Sequence, residues 1–491
     1  MMIEAYSIAD VRAAEARTMA GLPEGELMSR ASRGLAEVAA ARLTQRDGRR
    51  VVALVGLGNN GGDALYAVGR LAQEGHNAAA VVAADRVDDG ALETARSGGA
   101  TVVSGSDPQW RAFVQEADVV LDGITGLGGR PGLSAEARVW VDAVPADAWV
   151  VAVDLPSGTD PAGEQVAVDA VFADETVTFS VAKPVHLLPA TERAVGRLTV
   201  VDIGLDLEGL RPVVERLTHD DVAELWPVPT ADSDKYSRGV VGIVAGSPTY
   251  PGAAVLSVLG ALGAGPGMVR YLGAPEVARL VHAAAPEVVT AAGRVQAWVI
   301  GSGTDPTDPS AAGEEQRGWA QEALAGDLPV VVDAGALDLV DRREGPTLLT
   351  PHAGELARLL TRLGAGPGGA EVTRGHVARA PLEHARAAAV RTGATVLLKG
   401  SHTLVVPPEP REPIRCQADA PAWLATAGAG DVLGGLLGTL FAAGLSPLDT
   451  GSLGALVHGF AADRCNPGGP IRARDVAHGI PSAVAALLAR G

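Results

Sequence analysis

The sequence predicts two α/β domains in succession, the first built on a parallel sheet. Three observations carry this expectation. Short runs of Val, Leu, Ile and Ala recur along the chain with helical stretches between them, the pattern of strands buried on both faces. Two of these runs lead through a Gly-rich turn into a helix, which is how a backbone comes close to phosphate. At 491 residues the chain also exceeds one ordinary core.

Residues 8 to 20 and 27 to 43 read as helices with an apolar face. Val51 to Gly56 is a buried strand, followed by Leu57-Gly-Asn-Asn-Gly-Gly-Asp63 and a helix from about Ala64 to Glu74, the opening unit of a Rossmann-like sheet. Strands at 78–84, 100–103, 118–122 and 149–154 follow, with right-handed crossovers expected between them. Ligands of such sheets gather at the carboxyl ends of the strands, and there stand Asn59, Asn60 and Asp63, Asp122 and Asp154. A second Gly-rich loop runs from Asp122 to Gly132, and the turn Asp154-Leu-Pro-Ser-Gly158 brings Ser157 back over a strand end. Asn60, Asp122 and Ser157 offer amide, carboxylate and hydroxyl oxygens suited to a hard cation, although Asp122 and Asp154 would also serve as helix caps. Strands at 177–180 and 197–203 close this domain. Lys183 either reaches the site or snorkels at the edge of the sheet.

From Arg211 to Asp234 the pattern weakens, as in a linker. Beyond it, strands are expected at 240–245, 268–272, 296–300, 329–333, 347–350 and 395–398, a second and larger α/β domain. Thr350-Pro-His-Ala-Gly-Glu355 puts His352 at a strand end, and Lys399 follows another, where its ammonium could meet phosphate. Ala425 to Gly438 is a Gly-rich turn entering an apolar helix. The free N–H groups near Gly428 and Gly430 and the helix dipole would hold a phosphoryl group, with Asp431 beside them to take a proton from a hydroxyl.

Composition excludes several partners. With 58 acidic against 40 basic residues the net charge is −18, which disfavours nucleic acid or an anionic membrane as partner. Residues 239 to 269 carry no charge, but Pro and Gly interrupt the run, so two buried strands around a buried helix fit better than a membrane span. No signal peptide is visible, and two cysteines make no disulfide framework, so a reducing, cytoplasmic setting is expected. Only Lys183, Lys235 and Lys399 are lysine, against 37 arginines; each lies in or beside a motif.

Gly428-Ala-Gly-Asp431 before a helix resembles the anion hole and base of the ribokinase-like superfamily. With Lys235-Tyr-Ser-Arg-Gly239, Ala245-Gly-Ser247, Gly252-Ala-Ala254, Thr350 to Glu355 and Leu398-Lys-Gly400, residues 222–488 resemble the ADP/ATP-dependent NAD(P)H-hydrate dehydratases. Gly58 to Asp63, Asp122, Gly126 to Gly132 and Asp154 to Gly158 make residues 1–218 similar to NAD(P)H-hydrate epimerases, so the whole resembles the bifunctional NAD(P)H-hydrate repair family. The resemblance implies that Asn59, Asn60, Gly61, Gly62, Asp63, Asp154 and the loop Gly126, Leu127, Gly128, Gly129, Arg130, Pro131, Gly132 bind the hydrated dinucleotide. Potassium would sit on Asn60, Asp122 and Ser157. It implies that Ala253, Gly303, His352 and Asp431 contact the hydrate in the second domain. Lys399, Gly400, Ser401, His402 and Thr403, with Gly428 and Gly430, would bind ADP or ATP with magnesium. Ala64, Pro266 and Ser302 depart from the family's usual residues, and none removes a side chain with a chemical role. The catalytic groups expected are Asp431 and, for epimerisation, Asp154 or Asp122. A homo-oligomer is expected, and a small-molecule kinase fused to a ligand-binding domain is the alternative.

Overall fold

The computed structural model describes residues 2–83, 87–366 and 369–490. The chain divides into two compact units, one of Glu4–Val214 and one of Met1–Ile3 with Glu215–Gly491.

The first unit holds a seven-stranded sheet in the order Thr101–Ser104, Asn77–Val82, Arg50–Val55, Val119–Gly123, Trp149–Val153, Glu175–Phe179 and Arg197–Val201. Every neighbouring pair is parallel. The chain builds outward from Arg50–Val55 on one side, then returns to start the other side at Val119–Gly123. These two strands therefore flank the switch point at which a crevice opens beyond the strand ends. Leu35, Leu43, Leu65, Val68 and Leu71 of the helices Glu26–Gln45 and Asn59–Gln73 cover one face, and Trp110, Val114 and Trp140 lie on the other.

The helix expected from residue 64 starts at Asn59. Gly58, at φ 103°, turns the chain sharply enough for the helix to begin at once, so Asn59 to Asp63 form its first turns instead of a loop. Of the strand expected at 78–84, residues 78 to 82 lie in Asn77–Val82, and residue 84 lies outside the described residues.

The second unit carries a ten-stranded sheet. Its parallel part runs Thr395–Leu398, Thr347–Leu349, Val330–Val332, Ala297–Ile300, Val240–Val244 and Met268–Leu272. Thr403–Val406 and Ile414–Gln417 extend it antiparallel, and Val214–Arg216 and Ile3–Ala5 finish that edge. The sequence reading missed these last four strands, which are three or four residues long and too short to show a period. The uncharged stretch from 239 to 269 is strand Val240–Val244, helix Pro251–Gly263 and the start of strand Met268–Leu272. Among the described residues no helix is long and apolar enough to cross a membrane.

The helix Ala429–Ala442 is held by close packing on the helix Pro251–Gly263. A Cβ at Gly435 would collide with the Ser257 carbonyl, and one at Gly260 with the Val432 carbonyl. These two backbones touch because both contact residues lack side chains, and that contact sets where the start of Ala429–Ala442 lies. Gly435→Ala is expected to destabilise the second unit by about 1–3 kcal/mol through overpacking, read as a lower urea midpoint; an unchanged midpoint would show that the helix pair can relax.

Candidate active sites

In the first unit, polar groups from three strand ends meet. Asp122 closes Val119–Gly123, and the turn after Trp149–Val153 folds Ser157 onto it: the Ser157 N–H donates to Oδ2 at 2.8 Å and its Oγ to Oδ1 at 2.6 Å. The Thr125 N–H donates to Ser157 Oγ at 2.9 Å. Asn60 Nδ2 reaches the carbonyls of Val153 at 2.5 Å and Thr125 at 3.3 Å. Asn60, Asp122 and Ser157 are thus brought together as expected from the strand ends. Burial pushes the Asp122 carboxyl up to about 6, against the pull of the Ser157 hydrogen bonds.

Asp154 has a left-handed backbone, φ 66°, unusual for a non-glycine residue and a mark of strain at a site. Its Oδ1 pairs with Lys183 Nζ and accepts from Thr178 Oγ1 at 2.9 Å. Its carbonyl meets His186 Nε2 at 2.7 Å, while His186 Nδ1 accepts the Lys183 N–H at 3.0 Å. These two contacts assign the Nε2–H tautomer. Burial drives the His186 pKa down to about 4, so the ring is neutral. Burial alone would raise Asp154, but the Lys183 ammonium and its hydrogen bond outweigh this and hold the carboxyl below its ordinary range. Lys183 therefore does not snorkel; it is 1% exposed and belongs to the site.

A cleft of about 1600 Å³ opens over these groups, lined by Asn59, Asn60, Asp63, Gly126, Leu127, Gly128, Gly129 and Asp154 among the expected residues. Asp122 and Ser157 lie beneath its wall. Gly61 and Gly62 are buried in the helix, Gly61 against the Gly56 carbonyl, and with Arg130, Pro131 and Gly132 they stand outside the lining. Arg12 and Glu15 line it too. Sequence reasoning missed both because they sit in an ordinary-looking N-terminal helix, Ile8–Ala20.

In the second unit the carboxyl ends of four adjacent parallel strands supply the site. Ala297–Ile300 leads to Ser302, Val330–Val332 to Asp333, Thr347–Leu349 to Thr350 and His352, and Thr395–Leu398 to Lys399. Asp333 accepts from Ser302 Oγ at 3.0 Å, Thr350 Oγ1 at 2.9 Å and Lys399 Nζ at 2.7 Å. Glu355 Oε2 lies 3.8 Å from the same ammonium. Asp333 was not singled out from sequence, although Val330-Val-Val-Asp333 repeats the strand-then-carboxylate pattern used for Asp122 and Asp154.

Asp431 stands in the first turn of Ala429–Ala442, whose N-cap Gly428 is left-handed at φ 88°. A Cβ on Gly430 would lie 3.4 Å from Lys399 Nζ, so the ammonium and the start of the helix face one spot. First-turn N–H groups have no partner within their own helix, so that spot combines two kinds of positive potential. Burial and then the neighbouring Asp333 raise the Asp431 pKa to about 6, with Lys399 and a Ser302 hydrogen bond pulling the other way. Burial pulls Lys399 down, yet Asp333, Glu355 and Asp431 together hold it above its ordinary value, so it stays charged.

His352 caps the helix Ala353–Arg362: its Nδ1 accepts from the N–H groups of Gly354 at 3.0 Å and Glu355 at 3.2 Å. The rest of the ring is exposed. Gly303, at φ 66°, abuts Ala253 in the first turn of Pro251–Gly263. Gly400, Ser401 and His402 form the turn between Thr395–Leu398 and Thr403–Val406.

Two family models match the chain: "YjeF-related protein N-terminus" over residues 24–185 and "NAD(P)H-hydrate dehydratase" over residues 241–470. The chain is 44% identical to a bifunctional NAD(P)H-hydrate repair enzyme of Mycobacterium tuberculosis, over 90% of this chain and 89% of the relative. It is 42% identical to that of Mycobacterium leprae, over 98% and 99%. Among solved structures, an ADP/ATP-dependent NAD(P)H-hydrate dehydratase from Bacillus subtilis, co-crystallised with ATP and magnesium, aligns at 25% identity and TM-score 0.48, covering 55% of this chain and 98% of that one.

The Lys183–Asp154 pair is buried on both sides, so removing one partner strands the other charge. Lys183→Met is expected to cost the first unit about 3–5 kcal/mol in urea unfolding, and the double change Lys183→Met with Asp154→Leu to recover much of it. A loss under about 1 kcal/mol for Lys183→Met would mean that water reaches Asp154.

Proposed function

We propose residue roles from one premise: the chain belongs to the family of bifunctional NAD(P)H-hydrate repair enzymes. Such an enzyme interconverts the R and S hydrates of NADH and NADPH, and dehydrates the S form back to NAD(P)H at the expense of ADP or ATP. Residues 1–218 would carry the epimerase and 222–488 the dehydratase.

A hydrated nicotinamide ring bears a hydroxyl at C6, next to the ring nitrogen, and hydroxide is a poor leaving group near neutral pH. Phosphorylation removes that obstacle. Asp431 accepts the hydroxyl proton while the terminal phosphoryl group moves onto the oxygen. The N–H groups around Gly428 and Gly430 and the Lys399 ammonium take up the charge on that group. The ring nitrogen lone pair then expels inorganic phosphate, and loss of a C5 proton restores the dihydropyridine. One observation carries this reading: Asp431 stands in the first turn of the helix whose start faces Lys399. Ala253 and Gly303 form the close wall against which the hydrate would lie, with His352 at the rim.

Among the described residues no group of three or more Asp, Glu, His or Cys side chains is placed to hold a metal. Magnesium would therefore be held chiefly by the nucleotide's phosphate oxygens, and when bound it offsets their charge. Potassium suits a different donor set: the Asp122 carboxylate, the Ser157 hydroxyl and the Val153 and Thr125 carbonyls offer oxygens, and Asn60, whose Nδ2 donates to those two carbonyls, would turn its amide oxygen to the ion. In the first unit Asp154, ion-paired to Lys183, is a fixed charge at the floor of the cleft where the dinucleotide would bind.

Asp431→Asn is expected to slow nucleotide-dependent recovery of dihydronicotinamide absorbance by about 10²–10⁴-fold while R and S hydrates continue to interconvert. Recovery near the parent rate would remove Asp431 as the base. Because a base works only when ionised, recovery by the parent is expected to be full well above pH 6 and to fall as the pH drops through about 6. Release of a stable phosphorylated hydrate in place of inorganic phosphate would instead favour a kinase.

A further inference from the structure

We infer that Asp63 is the proton donor and acceptor of the epimerisation, its carboxyl protonating the C6 hydroxyl as it leaves and taking a proton back when water returns. The inference rests on the epimerase reading of the first unit. It departs from the sequence-based choice of Asp154 or Asp122.

Asp63 projects from the helix Asn59–Gln73 and lines the cleft together with Glu15 and Asp154. It is 6% exposed, and its Oδ1 has no hydrogen-bond partner among the described residues. A buried carboxylate with an unpaired oxygen bears its desolvation cost uncompensated, whereas the neutral acid avoids most of it. The two carboxyl groups at the strand ends are engaged. Asp122 accepts from the Ser157 N–H, the Ser157 hydroxyl and the Ile124 N–H. Asp154 is bound to Lys183 and Thr178. The Lys183 ammonium divides between Asp154 and Thr178, so neither it nor a hydrogen bond compensates Asp63.

The charges that act on Asp63 are those of Asp154 and Glu15, which line the same cleft; Lys183, Asp154 and Arg12 act on Glu15, and Asp63 in turn acts on Tyr66 of its own helix. Burial first, then the Asp154 and Glu15 charges, push Asp63 well above the ordinary carboxyl range. Asp154, held below that range, has no proton to give near neutrality.

The step balances. The Asp63 proton passes to the C6 oxygen, the C–O bond breaks with its electron pair leaving in water, and the ring nitrogen lone pair forms the C6=N double bond. Asp63 is left as a carboxylate beside the cationic ring. Water adds to the planar carbon on the opposite face, the ring nitrogen recovers its lone pair, and the surplus proton returns to Asp63, with Glu15 as the neighbouring carrier.

The test uses the full chain, purified single epimers of NADPH hydrate and no adenine nucleotide, with both epimers followed by chromatography. Asp63→Asn is expected to lower kcat for exchange by about 10²-fold or more with KM little changed, and Asp63→Glu to restore part of the rate. The parent's kcat is expected to fall as pH rises through the donor's pKa, with this limb shifted in Asp63→Glu. Exchange by Asp63→Asn near the parent rate overturns the assignment, as does an unshifted limb in Asp63→Glu. Loss of hydrate binding in both variants, at unchanged proton dependence, overturns it in favour of a structural role. A parent chain that leaves pure epimers unchanged would bring down the epimerase reading itself, a result separate from these.

Discussion

Each site of this protein depends on one buried or half-buried lysine set against more carboxyl groups than it can neutralise. Lys183 pairs with Asp154 while Asp63 and Glu15 stand in the same cleft, and Lys399 pairs with Asp333 while Glu355 and Asp431 stand nearby. One ammonium binds a single carboxylate in each site, and burial raises the pKa of Asp63, Glu15 and Asp431, which it leaves unbound. A guanidinium would engage two carboxylates at once through its fork and erase that difference. In a chain that uses arginine at 37 of its 40 basic positions, lysine at these two points is consistent with that requirement. The third lysine, Lys235, lies over the Tyr236 ring at 5.1 Å.

The parallel sheets make such crowding possible. Parallel strands send all their carboxyl ends to one edge, so side chains distant in sequence meet with little help from the loops. Asp122 and Ser157 meet this way in one unit, and Ser302, Asp333, Thr350 and Lys399 in the other. Helix starts add free N–H groups at the same edge. Asn59–Gln73 and Ala429–Ala442 both begin from a left-handed glycine, which lets each helix start close to the strand ends.

The legible part of the sequence was the part governed by local rules. Apolar runs located the parallel strands, and the Gly-rich turns located the two helices that face the sites, the first of which starts five residues earlier than expected. Asn60, Asp122 and Ser157 could be grouped because each ends a strand or opens the next turn. Short strands such as Thr403–Val406 and Ile414–Gln417 escaped, since four residues hold too little periodicity to separate from a loop. Glu15 and Asp333 escaped for a different reason: their roles come from what packs opposite them, and pairing across a fold leaves no mark on spacing. The same holds for Lys183, whose sequence setting suited an edge residue as well as a buried one.

The division between paired and unpaired carboxyls also separates Asp154 from Asp63 in the first unit. Asp154 was, with Asp122, a candidate because it ends a strand, and the structure adds a strained backbone. Both features fix its position, and the Lys183 contact then fixes its proton state, which makes it a stable reference charge and a poor shuttle. Asp431 shows the complementary case: the neighbouring Asp333 holds Lys399, and burial together with the Asp333 charge raises the Asp431 pKa to about 6. A group that must both give and take a proton needs an environment that favours neither form strongly. In the second unit Lys399 binds Asp333 and also lowers Asp431 directly, against burial and the Asp333 charge.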